Sequence, residues 1–445
     1  MPLSEDGRYI ARPMSADDIQ SLPGFREFYP EELALRRHLF SAWRRVAARY
    51  GFAEYDGPPL EPLELYTRKS GDEIVGQLYR FVDRGGRAVA LRPEMTPTFA
   101  RMIAARAPAL PKPIRWFSIP QLFRYERPQR GRLREHFQLN MDIVGEAGPQ
   151  ADAEIIAAAL DCLREVGLGA EHIVARVSDR RLIAAILAAN GVAEEAGPAV
   201  FAALDKADRE SPGRLRERLD AAGVPDGFVE RLLALPELEL AELEDAYGDV
   251  PDVMDAVGGL KRVLGYLEAA GFGELIRFDA SLVRGLAYYT GTVFEVWERS
   301  GELRAICGGG RYDDLLASLG GVDLPALGFG MGDVVLGEFL RDLGLVPEAR
   351  VPVDDFIVCV SEAERPTALA LAGVLRGRGR RVVYDLRERG VGRQFKAADH
   401  AGAARVLVVG PQELERGIVM AREMATGEET ELALVTLLAT EAEGS

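Results

Sequence analysis

The patterned part of the chain opens with a helix. In EELALRRHLFSAWRRVAARY (31–50), Leu33, Leu35, Leu39, Phe40, Trp43 and Val46 recur at helical intervals, and Gly51 closes the run. Short alternating stretches follow at RAVALR (87–92), IRWFSIPQLFRYE (114–126) and REHFQLNMDIVG (134–145), and their period of two predicts strands. RPQRGRL separates the second from the third, which predicts an antiparallel pair with an extended basic loop. Helical spacing resumes over 151–166. Residues 193–270 are acidic and rich in Leu and Ala, and Pro212, Pro225, Pro236 and Pro251 predict that they break into short helices. Strands are predicted at 288–298 and 303–307, followed by a glycine cluster at 308–310. ALGFGMG (326–332) reads as a strand feeding a helix at 333–343.

Two prolines interrupt the pattern in LGLVPEARVPVDD (343–355), which marks a domain boundary. Beyond it DFIVCV, RVVYDL and RVLVVG are strands separated by helix-length segments, predicting three βα units on a mostly parallel sheet. The fold class expected is therefore an α+β domain with an antiparallel sheet and a helical insertion, followed by a C-terminal α/β domain. No internal repeat or low-complexity tract is present.

At 445 residues, 48% hydrophobic and 28% charged, the chain has the balance of an ordinary globular protein with room for several domains. Cys162, Cys307 and Cys359 are sparse, odd in number and far apart, so a reducing compartment is expected rather than a disulfide framework. The four histidines lack ligand spacing, so no structural metal site is expected. MPLSEDGRYIARPMSADDIQ has no apolar core of a leader, and no stretch approaches the roughly 18 apolar residues of a membrane span. The net charge of −16 speaks against nucleic acid, but it is unevenly spread. Residues 193–256 hold 17 acidic and 6 basic side chains, whereas 376–396 hold 8 basic and 2 acidic. Such a basic island can hold phosphate, and equally can be a solvated loop.

Three stretches carry candidate chemistry. Arg115, Arg124, Arg127, Arg130, Arg132 and Arg134 lie on one predicted strand pair and its tip. Guanidinium forks fit phosphate oxygens in two-point contact, so the hairpin suits a polyphosphate clamp; it equally suits an exposed hairpin paired with Glu126 and Glu135. Val283-Arg284-Gly285-Leu286-Ala287-Tyr288-Tyr289-Thr290-Gly291 sets one arginine and two tyrosines among glycines, as a small polar ligand or simple strand packing would require. Cys307-Gly308-Gly309-Gly310-Arg311-Tyr312-Asp313-Asp314 places glycines where backbone approaches something closely before a helix, or where it merely turns. No P-loop or GxGxxG is present.

In this order, these pieces resemble the histidyl-tRNA synthetases, a class II aminoacyl-tRNA synthetase family. The likeness runs from PGFREFYP (23–30) to the C-terminal domain. FRYERPQRGRLREHFQLNMDIVG (123–145) is similar to the motif 2 hairpin, and LRPEMTP (91–97) to the family's RPE-x-T signature. VRGLAYYTGTVFEV (283–296) and GGGRYD (308–313) are similar to its two histidine-specific motifs. YGFAEYDGPPLE (50–61) is similar to motif 1, and VGRQFKAADHAGAARVLVVGPQEL (391–414) to its anticodon-binding domain. The resemblance implies a cytoplasmic homodimer with a catalytic domain in 1–192 and 257–345, an insertion at 193–256 and an anticodon-binding domain at 352–445. It implies ATP with Mg²⁺, L-histidine and tRNA(His) as ligands. Arg124 and Arg284 match the arginines that flank the α-phosphate. Glu126, Arg132 and Arg134 are further candidates for contacts to adenine and the outer phosphates. Glu94, Met95, Thr96, Gln138 and Asp142 match residues around the amino group and ring, and Tyr288, Tyr289 and Tyr312 those that wall the imidazole.

Two motifs depart from the family. Ala287 stands where Asp is common. GFGMGDVVL places Asp333, Val334 and Val335 where motif 3 has a Glu-Arg pair whose arginine clasps the far end of ATP. The alternative expectation is a catalytically silent paralogue, such as the regulatory subunit of ATP phosphoribosyltransferase. That paralogue lacks an anticodon domain.

Overall fold

The computed structural model describes residues 20–67, 75–205, 207, 210–284, 288–301, 303–347 and 353–439. The chain divides into two compact units, 1–347 and 348–445.

The first unit is built on a nine-stranded sheet. Its strands are β1 (Ala53–Glu54), β5 (Ile114–Ser118), β6 (Gln121–Phe123), β7 (Glu135–Val144), β8 (Ile173–Asp179), β9 (Ile276–Phe278), β10 (Thr292–Glu298), β11 (Cys307–Arg311) and β12 (Ala326–Gly332). They run in the order β1-β5-β7-β12-β11-β10-β8-β9, with β6 also paired to β7. A smaller sheet, β2 (Leu60–Pro62), β4 (Ala88–Leu91) and β3 (Arg80–Val82), stands apart from it. The strand pair expected around RPQRGRL is present, since β5 and β6 both run antiparallel to β7.

Alternation along β7 and β12 decides the architecture. Leu139, Met141 and Ile143, with Leu327 and Met331 opposite, are fully buried in the main core. That core is roofed by the helices Pro30–Arg49, Pro149–Arg164 and Pro251–Ala269, each starting on a proline, where a missing N–H leaves no hydrogen bond unmade. Burying each such side chain contributes about 1.5–3 kcal/mol. Gln138, Asn140 and Asp142 then point to the opposite face, which is left free for chemistry.

The structure corrects several expectations. The helix Pro251–Ala269 is 19 residues long, because Pro251 starts it rather than breaking it. Pro212 likewise starts a helix, Pro225 immediately precedes one, and Pro236 sits in a short 3₁₀ turn. The helical segment also shares the main core through Val200, Leu204, Leu215 and Leu219. Residues 303–306 are not a strand. They close the β10–β11 hairpin, where Glu298 accepts from the Leu303 N–H at 2.8 Å. The strand instead begins at Cys307 and runs through all three glycines. Tyr288 and Tyr289 precede β10, which starts at Thr292. Strand β8 and the helix Arg180–Ala189 are among the elements of this unit that the pattern above leaves unmarked.

In the second unit, β14 (Val382–Tyr384), β13 (Val353–Cys359) and β15 (Ala403–Val409) are parallel, as expected. Two further strands, β16 (Ile418–Glu423) and β17 (Glu429–Ala433), continue the sheet antiparallel, so it is mixed rather than mostly parallel. A turn through Thr426 and Gly427 (φ 74°) makes that hairpin.

Candidate active site

The free face of the large sheet floors a cavity of about 300 Å³. Glu94, Thr96, Arg124, Glu126, Arg132, Gln138, Asp142, Arg284, Tyr288, Tyr289 and Tyr312 line it. Eleven residues singled out from sequence therefore meet in one place, drawn from the β6–β7 hairpin, β7, the start of one helix and two loops.

Glycine makes the floor possible. Gly308 and Gly310 of β11 pair with Gly330 and Gly328 of β12, so the sheet has no side chains there. A Cβ on Gly308 would lie 1.6 Å from Arg284 Nη1, one on Gly328 would lie 2.1 Å from Asp142 Oδ1, and one on Gly330 would lie 2.6 Å from Gln138 Nε2. The close approach expected of this cluster is real, but it occurs inside a strand and not at a turn or a helix N-terminus. Arg311, next in the run, faces the other way and is buried against Asp152 at 2.8 Å.

Arg284 lies over this floor in a left-handed conformation, φ 52°. Its Nη1 donates to the Phe294 carbonyl at 3.1 Å and lies 3.4 Å from Glu295, while its buried Nε has no hydrogen-bond partner. Burial works against its charge, but Tyr289 and Glu295 outweigh this and raise its pKa further, so it stays cationic. Arg124 extends from the end of β6 and is fixed by Nε donation to the Pro93 carbonyl at 3.0 Å. Glu126 and Arg132 form an ion pair at 2.5 Å in the cavity wall.

On the opposite side Tyr312 donates its hydroxyl to Asp142. Burial drives Asp142 up to about 7, and the Tyr312 hydrogen bond only partly opposes that. The Tyr288 ring packs against Tyr289 at 5.1 Å and edge-on to Tyr312 at 6.0 Å. Burial also holds the Tyr288 and Tyr312 phenols far above their ordinary range, so both remain donors.

Several sequence candidates lie elsewhere. Met95 is fully buried behind the cavity, with its sulfur 3.9 Å from Arg92. Arg134 does not line the cavity; its Nε donates to the Glu126 carbonyl at 3.0 Å and its guanidinium covers Tyr125 at 4.4 Å. Arg115 pairs with Glu154 at 2.6 Å, Arg130 with Asp342 at 2.5 Å, and Arg127 is exposed. The hairpin thus brings two guanidinium groups to the site rather than six. Ala287 falls outside the described residues.

At the motif 3 position Asp333 is buried and turned away from the cavity. It accepts from the Phe137 N–H at 2.9 Å and pairs with Arg26 at 2.9 Å, and Arg26 also holds Glu135 at 2.6 Å. Val334 and Val335 line an adjoining cavity of about 240 Å³ together with Arg124, Arg132, His136, Arg284 and Arg304. Sequence reading missed Arg304, His136, Gln77 and Asn140 as lining residues. The alternation of glycine in GFGMG opposite GGG was the one signal that could have exposed the open floor.

In the second unit most of the basic island is engaged internally. Arg380 and Arg405 share buried Asp355, Arg381 pairs with Asp354, and Arg389 with Asp385. Arg387, Arg393 and Lys396 remain exposed and, among the described residues, make no side-chain ion pair.

Comparison with known proteins bears on both units. Residues 24–332 match the family model for histidyl-tRNA synthetase, and 355–440 that for an anticodon binding domain. The chain is 46% identical over 417 residues to the histidine–tRNA ligase of Opitutus terrae, covering 93% of this chain and 95% of that one. It is 39% identical to the chloroplastic/mitochondrial histidine–tRNA ligase of Arabidopsis thaliana, covering 94% and 86%. Its fold is that of the histidyl-tRNA synthetase structure from Nostoc sp. PCC 7120, with a TM-score of 0.81, 24% identity and 94% and 97% coverage. The chain belongs to the histidyl-tRNA synthetase family of class II aminoacyl-tRNA synthetases.

Proposed function

We propose that the chain is a histidine–tRNA ligase that joins L-histidine to ATP as histidyl-adenylate and passes the histidyl group to the 3′ end of tRNA(His). The observation that carries this reading is a single cavity with Arg124, Arg132 and Arg284 at one side and the Asp142–Tyr312 pair at the other. The silent-paralogue alternative is not favoured. The curated relatives matched over most of the chain are named ligases, and the anticodon-binding match is present.

In activation a histidine carboxylate oxygen attacks the α-phosphorus, and the bond to the bridging oxygen breaks to release pyrophosphate. No protein nucleophile is needed, only alignment and charge that meets the crowded phosphorus. Arg124 and Arg284, both cationic and fixed by backbone carbonyls, suit that task from two sides. Glu126 and Arg132 suit adenine and the outer phosphates. Mg²⁺ would enter on ATP and offset triphosphate charge, since among the described residues no group of three His, Cys, Asp or Glu is placed to hold a metal. Asp142, Tyr312, Tyr288 and Gln138 suit the ring, with Glu94 and Thr96 toward the ammonium. A ligand lacking the ring nitrogens would leave these buried groups unpaired. We assign Met95 and Arg134 no substrate contact.

On this reading residues 1–192 and 257–345 form the catalytic domain, 193–256 an insertion in it, and 352–445 the module that meets the anticodon. Exposed Leu60, Phe81 and Val82 on the small sheet support a second copy of the chain as partner. Three unpaired thiols suit the cytoplasm. Among the described residues no helix is long and apolar enough to cross a membrane.

The test is ATP–pyrophosphate exchange with each amino acid in turn. Exchange driven by L-histidine alone is the expected result; a folded protein that shows none would return the regulatory reading to first place.

A further inference from the structure

We propose that Arg180 is a positioning residue that clamps the loop carrying Arg284 and so governs the rate of activation; the inference rests on the role given to Arg284 above. Strand β8 ends at Asp179, whose carboxylate accepts from the Arg181 N–H at 2.8 Å and starts the helix Arg180–Ala189. Thr292, the first residue of β10, pairs with Asp179, so Arg180 stands beside the entrance to β10. From there its own N–H donates to the Gly291 carbonyl at 3.0 Å. Its Nη1 reaches back to the carbonyls of Val283 at 2.8 Å and Arg284 at 2.9 Å. One residue therefore ties both ends of the segment 283–291.

The two carbonyls it grips are those that flank the φ of Arg284. That dihedral is 52°, a left-handed value that costs a residue with a Cβ on the order of 1–2 kcal/mol and persists only where the surroundings enforce it. It is also the turn that sends the Arg284 side chain across Gly308, where the floor leaves room for nothing else. The far side of the Arg180 guanidinium lies against the Phe201 ring at 4.3 Å, on the helix Gly197–Leu204. The clamp is thus held between the acidic helical segment and the loop. Arg180 does not line the cavity of the proposed reaction, so its influence reaches the site through the segment it grips, first through Arg284 and also through Tyr289, whose phenol lies within reach of its charge.

The experiment compares wild type, Arg180→Met, Arg180→Lys, Arg284→Ala and the double variant Arg180→Met/Arg284→Ala in histidine-dependent exchange, with thermal melting of each. A displacement of about 1 Å at a reacting group can lower a rate by about a hundredfold. Arg180→Met should therefore lower kcat roughly 10–100-fold and leave the KM for histidine within about twofold. Lysine retains a cationic donor for the two carbonyls and should recover part of that loss. In the Arg284→Ala background the methionine should cost far less, because the main group it positions is gone. An equal further loss in that background, or a normal kcat in Arg180→Met, would overturn the clamp. If the methionine variant melts early, the lysine variant is compared in both backgrounds by the same criterion. Arg284→Ala with wild-type exchange would instead remove the role of Arg284 itself, which separates the two failures.

Discussion

Tyr312, at the start of the helix Asp313–Gly320, donates its hydroxyl hydrogen to Asp142 on β7, joining two buried groups 170 residues apart in the chain. The phenol supplies one donor, and burial still raises the carboxyl of Asp142 to about 7. Asp142 is therefore set to change its charge near neutral pH, and its carboxylate form can accept from a ring N–H.

This has a signed consequence for stability. The folded pKa of Asp142 exceeds its unfolded value of 3.8, so its favourable contribution is complete below about pH 4 and is lost as pH rises through about 7. Asp142→Asn removes that loss. The melting temperature of the variant relative to wild type should climb between pH 4 and 7, and a flat difference would show that the site carries no such proton. Histidine KM in exchange should rise at least tenfold at pH 8.

Gly308→Ala should imitate the loss of an arginine it does not replace. The new methyl would lie 1.6 Å from Arg284 Nη1 and 2.8 Å from the Phe294 carbonyl, so the guanidinium must leave the floor. Exchange should fall by roughly 10²–10³, as in Arg284→Ala, while stability falls by about 1–3 kcal/mol. A Gly308→Ala enzyme with normal kcat would mean that Arg284 acts from another position.

The outer phosphates offer a comparison of neighbours. Arg132 lines both cavities, whereas Arg130 is held on the helix Asp333–Asp342 by Asp342 and Glu338. Arg132→Ala should raise the KM for ATP several-fold and spare that for histidine, and Arg130→Ala should change neither. Equal effects of the two would place the triphosphate on the hairpin tip instead.

Asp333, at the motif 3 position, makes a structural prediction. Arg26→Met leaves Asp333 and Glu135 buried without their shared cation and should destabilise the fold by about 3 kcal/mol, measured by denaturant unfolding. A loss under 1 kcal/mol would mean that Asp333 is neutral in the fold.

For the second unit, Ala at Arg387, Arg393 and Lys396 together should weaken tRNA charging and flatten its salt dependence, with exchange unchanged. Parallel loss of both reactions would argue against separate duties.

The sequence carried the strands of the free face well, because Gln138, Asn140 and Asp142 alternate with Leu139, Met141 and Ile143. It carried the arginines poorly, because a guanidinium on a strand looks the same whether it meets a ligand or a carboxylate. Arg115, Arg130 and Arg134 were settled only by partners that folding brings to them. Gly308–Gly310 were legible as a close approach but not as a strand, for a related reason. Glycine marks missing volume, and composition cannot say whether a turn or a neighbouring side chain uses it. Arg180 left no trace at all, since its partners are main-chain carbonyls of a distant loop.

The bare floor also sets a direction for change. At Gly308, Gly328 and Gly330 every possible substitution adds matter, so mutation there can shrink the chamber and never deepen it. Accommodation of a bulkier amino acid is closed along this route, and drift at these three positions leads only toward smaller ligands or an empty site. Any widening would have to begin at the larger side chains of the wall, such as Tyr288 or Tyr312, whose rings can be trimmed. The chemistry of the ring nitrogens would then be the first thing lost, before any new substrate was gained.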